Sequence, residues 1–424
     1  VASVGVALVI FTNLLLLPLW MSYARVTQRT IDHVKQKADK KSVVWDFMAS
    51  FATPKVASIT RMTMIALFAV GLAFGLNLKI GDLDKGAPEL RPDSRYNVDN
   101  EFITTNFSTS TDLMTIFAVT PMDQCDTYKV IDLVDRLGWA LENTPGVQSV
   151  SSPSSTAKVN RYLNNEGNLR MWSLPRDQRV LSRAINRTGL SDTGVVGPCN
   201  KQRIELELAD HKQETLVTVT AAIRKFAAEN DDADVQFRLG TGNASNEAAT
   251  NEVIQRAQYE ILAYVYGVVA LMCLLVFRSY KAVICILVPL ALKSLLCQAL
   301  MSVLGIGVKV ATLPVIALGV GIGVDYGIYI YSRLESYLKS GHSLQAAYLE
   351  TVKTTGQAVM FTGLTLAVGV ATWIYSPIKF QADMGILLTF MFLWNMVGAL
   401  TILPALAQWF RKEEDEAEYA LSSA

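Results

Sequence analysis

The sequence has 424 residues, of which 51% are hydrophobic and 18% charged, and it contains 38 basic and 38 acidic residues. This apolar content is too high for an ordinary soluble protein and indicates a membrane protein. The net charge of zero gives no indication of a nucleic-acid partner. The sequence also lacks the P-loop, HExxH and GxSxG motifs, which argues against nucleotide-driven transport and the common hydrolase chemistries, so we expect no enzyme.

Seven apolar stretches reach or approach the about 20 residues that a helix needs to cross a bilayer. They are Val1–Tyr23, Met62–Leu78, Ile261–Phe277, Ala282–Val308, Val310–Ser332, Thr354–Tyr375 and Met384–Phe410. The first stretch has neither a charged leading region nor a small-residue cleavage site, so it does not resemble a signal peptide. We therefore expect that it continues a longer protein.

Basic residues in the short connections predict the orientation of these helices. Arg25, Arg29 and several lysines crowd the first linker, and Arg278, Arg333 and Arg411 fall on the same side if the helices alternate. The predicted organisation is a membrane helix at 1–23, a cytoplasmic basic linker at 24–61, a membrane helix at 62–78, an extracytoplasmic domain at 79–260, a five-helix membrane bundle at 261–410 and a cytoplasmic tail at 411–424.

The outer segment 79–260 is long enough to fold around a core of its own. Its apolar periodicity predicts two units of strand, helix and strand, separated by the insertion Ser151–Asn200. The predicted elements are strands at Leu113–Val119, Val147–Val150, Ile204–Leu208 and Val235–Leu239 and helices at Tyr128–Leu141 and Glu214–Ala228. This order predicts a ferredoxin-like α+β domain.

Five cysteines occur, and no pair has the close spacing of a zinc or redox site, so we expect no bound metal. Three of them lie in apolar helices, where cysteine commonly packs as a small hydrophobic residue. Cys125 and Cys199 lie in the outer segment, where they can form a disulfide or remain free thiols.

Asp325 is the one acidic residue in the interior of a predicted membrane helix. A carboxylate at that depth costs several kcal/mol unless it is protonated, paired or hydrated, so acids inside the membrane are usually functional. The alternative is an acid that reaches the headgroups from a helix end. Asp325 lies seven residues before Ser332, or about 10 Å along the helix, which is too deep for a short side chain to do this. The residue is therefore a candidate proton carrier.

Glycines surround this acid on the same helix. Gly319, Gly323 and Gly327 recur every fourth residue and predict a smooth face against which another helix can pack closely. Asp325 points nearly the opposite way, because two residues turn a helix by about 200°. Gly321 lies one turn before the acid on its own face and leaves space beside the carboxyl group.

Several polar residues are candidate companions of Asp325. Tyr326 offers a hydroxyl group, and Thr362 and Thr365 lie at a similar depth on the next helix, where they either bind the carboxyl group and water or only pack. Lys293 interrupts the fourth stretch; it either pairs with Asp325, extends to the headgroups or follows a kink at Pro289. These candidates predict a proton relay.

The connection between the fifth and sixth stretches mixes apolar and polar residues with helical spacing. Residues 334–352 therefore predict an amphipathic helix that lies along the inner membrane surface.

These features together resemble the resistance-nodulation-division (RND) superfamily, in the branch of the mycobacterial large membrane proteins (MMPL) and other hydrophobe exporters. The residues that carry the resemblance are GVGIGVDYG at Gly319–Gly327, TGLTLAVG at Thr362–Gly369, the amphipathic inner helix, and GDLDKGAPELRPDSRYNVD at Gly81–Asp99. The resemblance covers nearly the whole chain and implies that it begins at the sixth of twelve transmembrane helices.

This resemblance implies export driven by the proton-motive force from a bacterial inner membrane, without a cofactor other than the proton gradient. It implies that the outer segment is a periplasmic porter domain and that Asp325 and Tyr326 occupy the proton-relay position of the tenth helix. It further implies an amino-terminal half as partner, a hydrophobic or lipid-like substrate, and either a homo-oligomer or a periplasmic accessory protein. The drug-efflux branch places a lysine on this helix, and the sequence has none there.

Two other functions remain open. A Patched-like protein that binds lipids or sterols shares the glycine and aspartate pattern, although such proteins have cysteine-rich outer domains and this one has two outer cysteines. Glycosylation at Asn106, Asn186 or Asn243 would favour it. An RND-type accessory factor for protein translocation would instead change the yield of secreted proteins.

Overall fold

A computed structural model describes residues 2–23, 43–107, 109–186, 195–196 and 199–422. The helices are α1 Ala2–Phe11, α2 Leu17–Tyr23, α3 Val43–Ser50, α4 Pro54–Gly75, α5 Arg95–Asn106, α6 Tyr128–Glu142, α7 Pro153–Leu163, α8 Gln178–Asn186, α9 Gln213–Asn230, α10 Asn243–Phe277, α11 Tyr280–Leu304, α12 Leu313–Lys339, α13 Leu344–Thr351, α14 Gln357–Ala371 and α15 Lys379–Ser422. Short π-helical turns join α1 to α2 at Thr12–Leu16 and α13 to α14 at Val352–Gly356.

The outer domain is built on one antiparallel sheet. Its strands are β1 Asp112–Val119, β2 Val147–Ser151, β3 Val195–Val196, β4 Lys201–Leu208 and β5 Gln236–Leu239. The order across the sheet is β2, β4, β1, β5, and β3 pairs with β4 at the side of this path. All six elements predicted from the periodicity are present, within a few residues of the predicted bounds.

The core of the outer domain lies between the sheet and α6 and α9. In β4, alternate residues are buried, because successive side chains of a strand point to opposite faces. In α6, Val130, Val134, Leu137 and Leu141 are buried at spacings of three and four residues, which line one face of a helix. These two periods, two and 3.6 residues, are the signals that made this domain predictable from the sequence.

Six described helices are long and apolar enough to cross a membrane, so the chain is a multi-pass membrane protein. They are Pro54–Gly75, Asn243–Phe277, Tyr280–Leu304, Leu313–Lys339, the continuous helical segment Leu344–Tyr375 and Lys379–Arg411. The predicted first span is helical from Ala2, but its apolar part Leu8–Tyr23 is shorter than these six. Residues 24–42, which make up half of the basic linker 24–61, lie outside the described residues.

The helix α10 connects the outer domain to the membrane bundle without a break. It has 35 residues and is therefore about 52 Å long, against a hydrocarbon thickness of about 30 Å. Its apolar part is 261–277, so 243–260 extend beyond the membrane. At its start, the side chains of Asn243 and Ser245 accept hydrogen bonds from the backbone N–H groups of Leu113 and Thr115 in β1, at 2.9 and 3.3 Å. The sheet of the outer domain is therefore hydrogen-bonded to a helix that continues into the membrane bundle.

The predicted amphipathic helix at 334–352 differs in the structure. Residues 334–339 are the last turns of α12, and a new helix begins at Leu344 after a turn at Gly341, whose φ of 87° ends the first helix. Tyr348 is fully buried, and its hydroxyl donates a hydrogen bond to Leu400 O at 2.5 Å. The prediction of one continuous helix over 334–352 is therefore wrong, whereas its position along the inner membrane surface stays a prediction.

The helix α4 also extends beyond its predicted start at residue 62. It begins at Pro54, the first-turn position where a proline is tolerated because its missing N–H has no helical partner. Arg61 Nη1 donates hydrogen bonds to Ala405 O and Gln408 Oε1 at 2.9 and 3.0 Å. The guanidinium group of Arg61, which lies directly before the predicted apolar stretch, is thus bound by carbonyl and amide oxygens of α15.

Candidate functional site

Asp325 lies near the middle of α12. The helix ends at Lys339, so fourteen residues (339 minus 325), or about 21 Å, separate the acid from that end, instead of the 10 Å expected from a helix ending at Ser332. The side chain is on an exposed face of the chain and makes no hydrogen bond or ion pair with the described residues. An acid this far from both helix ends satisfies its charge by protonation, water or a further protein surface.

The two faces of α12 differ in what covers them. Gly319 and Gly323 pack against α15, where an added methyl group would overlap Met391 and Asn395, and Gly327 packs against Ile286 of α11. Gly321, on the face of Asp325, has open space around it. The structure therefore places the glycine row at a close helix contact and leaves the acid's side of the helix uncovered.

Asn395 secures the contact between α12 and α15. Its Nδ2 donates a hydrogen bond to Gly319 O at 3.0 Å, although its Oδ1 has no partner among the described residues. This amide packs over Gly323, so a side chain at that position would have to displace it. Asn395 therefore supports the packing of α12 on α15 with a hydrogen bond.

Thr362 and Thr365 are exposed on α14. Their Oγ1 atoms donate hydrogen bonds within their own helix, to Ala358 O at 2.9 Å and to Phe361 O at 2.5 Å. The hydroxyl oxygens remain able to accept a hydrogen bond. The helices α12 and α14 both pack against α15. Neither threonine forms a hydrogen bond to Asp325 in the structure.

Lys293 and Tyr326 are both buried in the bundle, away from the exposed face of Asp325. Lys293 is 0% exposed and its Nζ has no hydrogen-bond partner among the described residues. Such a position does not fit a side chain that reaches the headgroups, and no ion pair with Asp325 is formed. Tyr326 is 3% exposed within the core cluster of the bundle, and its hydroxyl is likewise unpaired there. Within the described part of the chain, no hydrogen bond or ion pair joins Asp325 to the other four predicted relay residues.

A second polar site, which the sequence reasoning missed, lies where the outer domain meets the membrane helices. We call it the junction cluster and define it by Asp82, Asp112, His211, Glu247 and Lys309. Lys309 Nζ binds Asp82 Oδ1 at 2.6 Å, and His211 Nδ1 contacts Asp112 Oδ1 at 3.0 Å. Glu247 lines the same cavity as Asp82 and Lys309. Both ion pairs are largely buried, with side chains between 5% and 15% exposed.

Backbone pairing brings these residues together. Ile80, just after α4, forms a parallel bridge with Val308, and the N–H of Gly81 donates to Val308 O at 2.8 Å. This short bridge sets Asp82 beside Lys309. Thr312 fixes the loop from within, since its Oγ1 accepts from the N–H of Lys309 and donates to Gly307 O, both at 3.0 Å.

The electrostatics of the junction cluster favour bound protons. Burial and the neighbouring charge of Asp82 raise the pKa of Glu247 to about 7, because both disfavour a second carboxylate. Burial opposes a charge on His211, but the hydrogen bond and charge of Asp112 outweigh it and raise the pKa of that imidazole. Both groups lie outside the membrane-spanning part of the chain, and the pKa of Glu247 falls near neutral pH.

A cleft opens beside the junction cluster. One part has a volume of about 530 Å³ and is lined by His211, Asp112 and Glu247, and the adjoining part has about 290 Å³ and is lined by Asp82, Glu247 and Lys309. Glu89 and Asn246 at its edge are exposed. The cleft is therefore open at this edge, on the side where the carboxyl groups line it.

The outer domain contains a disulfide. Cys125 and Cys199 are joined, which is one of the two states left open by the sequence, and the bond closes a segment of 74 residues. The remaining cysteines Cys273, Cys285 and Cys297 are buried free thiols in the membrane helices. A disulfide here fits the assignment of the outer domain to an oxidising compartment.

Comparison with known proteins identifies relatives that are membrane proteins and transporters. The chain is 34% identical over 106 residues to the putative membrane protein MJ1562 of Methanocaldococcus jannaschii, a match that covers 25% of this chain and 27% of the relative. It is 24% identical over 292 residues to the probable trehalose monomycolate exporter MmpL3 of Mycobacterium leprae, covering 66% and 30%. With the probable transport protein MmpL9 of Mycobacterium tuberculosis it shares 24% over 227 residues, covering 52% and 24%.

These matches span less than a third of each relative's own length. The model of the MMPL family matches residues 111–413, a range that includes most of the outer domain, α10 and the helix that carries Asp325. A match over more than half of the chain agrees with the resemblance inferred from the GVGIGVDYG run. The chain belongs to the MMPL family.

Proposed function

We propose that this chain forms part of an exporter, driven by the proton-motive force, that moves a hydrophobic or lipid-like substrate out of a bacterial inner membrane. The observation that carries the proposal is Asp325, an acid in the middle of a membrane-spanning helix that has no partner among the described residues. Such a group is far more costly in hydrocarbon when charged than when protonated. It therefore responds directly to the proton supply.

The exposed face around Asp325 indicates where the partner binds. Leu318 and Tyr329 on α12 are 49% and 57% exposed, and Phe361 and Val368 on α14 are 73% and 60% exposed. These side chains can face lipid, but the carboxyl group among them cannot do so at low cost while charged. We propose that an amino-terminal half of the same transporter covers this face and supplies the groups that complete the relay with Asp325.

The chain's own residues would act by repacking. Protonation of Asp325 removes a charge from the interface. Release of this proton to the opposite side of the membrane restores the charge. The protonated and charged states therefore favour different contacts of α12. Tyr326, Thr362, Thr365 and Lys293 are proposed to take part once the other half is in place. The lack of a bond between these residues and Asp325 within the described part of the chain is consistent with a relay that is completed across the interface.

The outer domain is proposed to be a periplasmic porter domain of the ferredoxin-like kind. The order of its four long strands, β2, β4, β1 and β5, with two helices on one side, supports this assignment. Because α10 joins this domain to the bundle, repacking of the membrane helices can open and close a path for the substrate. The substrate class rests on relatives that are described as trehalose monomycolate exporters. A homo-oligomer or a periplasmic accessory protein completes the proposed assembly.

The proposal is tested by Asp325→Asn in the full-length transporter. The amide is nearly the same size as the protonated acid but cannot exchange a proton, so we expect export of the labelled lipid substrate to stop while expression and membrane insertion stay normal. Glu335→Gln is the matched control: it lies on the same helix, near its end, and pairs with Lys339 at 2.8 Å with partial exposure. Undiminished export by Asp325→Asn, or equal loss in both variants, would overturn the proposal.

A further inference from the structure

The junction cluster has more negative than positive groups in a confined space. Asp82, Asp112 and Glu247 can carry three negative charges, against positive charges on Lys309 and, when protonated, His211. Asp82 already binds Lys309, and Asp112 already binds His211. Glu247 is therefore the carboxyl group without a cation of its own, and Asp82 is its close neighbour.

Two carboxyl groups within hydrogen-bond reach are stable as a pair when one of them holds a proton. The proton then lies between the two groups, with the Glu247 hydroxyl donating to the Asp82 carboxylate while Lys309 holds that carboxylate from the other side. The groups that face Glu247 come from several parts of the chain: Asp82 and Glu89 from the segment after α4, His211 from the loop before α9, and Lys309 from the loop before α12.

We propose that Glu247 and Asp82 form a proton-binding site at the outer end of the membrane bundle, and that the bound proton holds the outer domain to the membrane helices. The proton comes from water in the cleft and returns to it, so no other reactant is needed. The site differs from Asp325 in residue, helix and depth. It goes beyond the proposed export function, because it can be detected without any transport.

Two buried polar atoms in the cleft lack hydrogen-bond partners among the described residues. They support a site whose protonation state changes. His211 Nε2 and Asn251 Nδ2 have no hydrogen-bond partner among the described residues, although the two side chains are only 4% and 2% exposed. Unpaired buried donors are costly and are usually met by water. Both residues line the same cleft as the carboxyl pair. The raised pKa of Glu247, about 7, places the exchange near neutral pH.

The mechanical consequence follows from the position of Glu247 on α10. When the proton leaves, two carboxylates face each other across the contact between α10 and the segment after α4, and they repel. The same helix is anchored to β1 by Asn243 and Ser245 and continues into the membrane. Loss of the proton therefore loosens the contact between the outer domain and the bundle.

The test is an infrared pH titration of the carboxyl C=O stretch in the full-length transporter. Wild-type protein should show a protonated carboxyl band that disappears near neutral pH. Glu247→Gln should lack this band, and Asp82→Asn should move its loss to lower pH because the repelling charge is gone. The matched control is Glu252→Gln, five residues further along α10, where an exposed glutamate pairs with Arg224 at 2.6 Å; this variant should keep the band.

Asp325→Asn separates this proposal from the export proposal. If the near-neutral band survives in Asp325→Asn but not in Glu247→Gln, the outer site stands whether or not export depends on Asp325. A band that survives in Glu247→Gln overturns the outer site, as does one lost in Asp325→Asn alone. Should Glu247→Gln fail to fold, Asp82→Asn decides, and an unshifted band in that variant overturns the proposal.

Hydrogen exchange measures the loosening directly. The backbone amides of 243–260 should exchange faster above neutral pH than below it in wild-type protein, after correction for the intrinsic pH dependence of exchange. Glu247→Gln should remove this difference, because it stays uncharged at every pH. Equal protection across pH in wild-type protein would overturn the mechanical part of the proposal.

Discussion

The face around Asp325 and the junction cluster show opposite ways of holding an acid in a membrane protein. Asp325 is a single carboxyl group on an exposed helix face, with no partner within the described residues. Asp82 is only 6% exposed and binds Lys309 at 2.6 Å. The Asp325 carboxyl group lacks a partner until another surface covers it, whereas the Asp82 carboxylate already has Lys309 as its partner within the chain.

Because of this difference, we expect mutations in the two regions to have different effects. Removal of Asp325 leaves no described group unpaired, so its loss should affect transport much more than stability. Removal of a junction residue leaves a buried partner with an unbalanced charge, which destabilises a protein more than loss of an exposed pair. Stability measurements can therefore distinguish the two regions even before transport is assayed.

The largest expected effect on stability is that of Lys309→Met. This variant leaves the buried Asp82 carboxylate without its cation, next to Glu247, and should lower the free energy of unfolding by about 3–5 kcal/mol. Denaturant unfolding of the purified full-length protein measures it. The control Lys79→Met removes an exposed pair with Glu214, whose side chains are 60% and 81% exposed, and should produce no measurable change. Equal effects of the two variants would mean that the junction cluster is solvated.

A smaller effect is expected from Gly323→Ala on the covered face of α12. The new methyl group overlaps the Asn395 amide, and overpacking of this kind costs about 1–3 kcal/mol. Gly321→Ala is the matched control, since its methyl group meets nothing within 4 Å. Thermal unfolding of both variants checks the prediction. Comparable destabilisation by Gly321→Ala would show that the uncovered face is packed in the full-length protein as tightly as the covered one.

Asp325 was predictable from the sequence because it contrasts with everything around it. A carboxyl group among apolar residues and glycines stands out in the hydropathy pattern alone, and the glycine row next to it indicates which face packs. The strands and helices of the outer domain were predictable for a similar reason, because the alternation in β4 and the spacing in α6 each match one regular period.

The junction cluster was not predictable in this way. Its five residues come from five separate segments, and Asp82 and Lys309 are 227 positions apart in the sequence. Each is an ordinary polar residue in a polar segment, so no local pattern marks it. The one available signal was Lys309 itself, a lysine between two apolar stretches, which needs an anionic partner close to the membrane.

The helix ends near Arg61 and Arg333 were mispredicted for a related reason. Charged residues such as Arg61 and Arg333 ended the apolar stretches, but a helix continues wherever its backbone hydrogen bonds and its packing continue. Arg61 is accommodated by oxygens of α15, and α12 runs on to Lys339. Hydropathy gives the membrane-embedded length, whereas tertiary contacts determine the full length of a helix.

The smallest expected effect concerns His211, and it tests whether the junction cluster responds to pH as a unit. The pKa of His211 is raised in the folded protein, since the hydrogen bond from its Nδ1 to Asp112 favours the charged ring despite burial. A raised pKa means that the folded state binds the proton more tightly than the unfolded state. The stabilisation is therefore fully present below the unfolded value of about 6.5 and is lost as pH rises through the folded value.

His211→Gln should accordingly lower the melting temperature more at pH 5.5 than at pH 8. Glu247 acts in the same direction, because its raised pKa also means that the folded state holds a proton that the unfolded state has released. The control His342→Gln changes an exposed histidine beyond the other end of α12 and should give a shift that does not depend on pH. A His211→Gln shift that is equal at both pH values would show that the imidazole stays neutral in the fold, and the junction cluster would then depend on Glu247 alone.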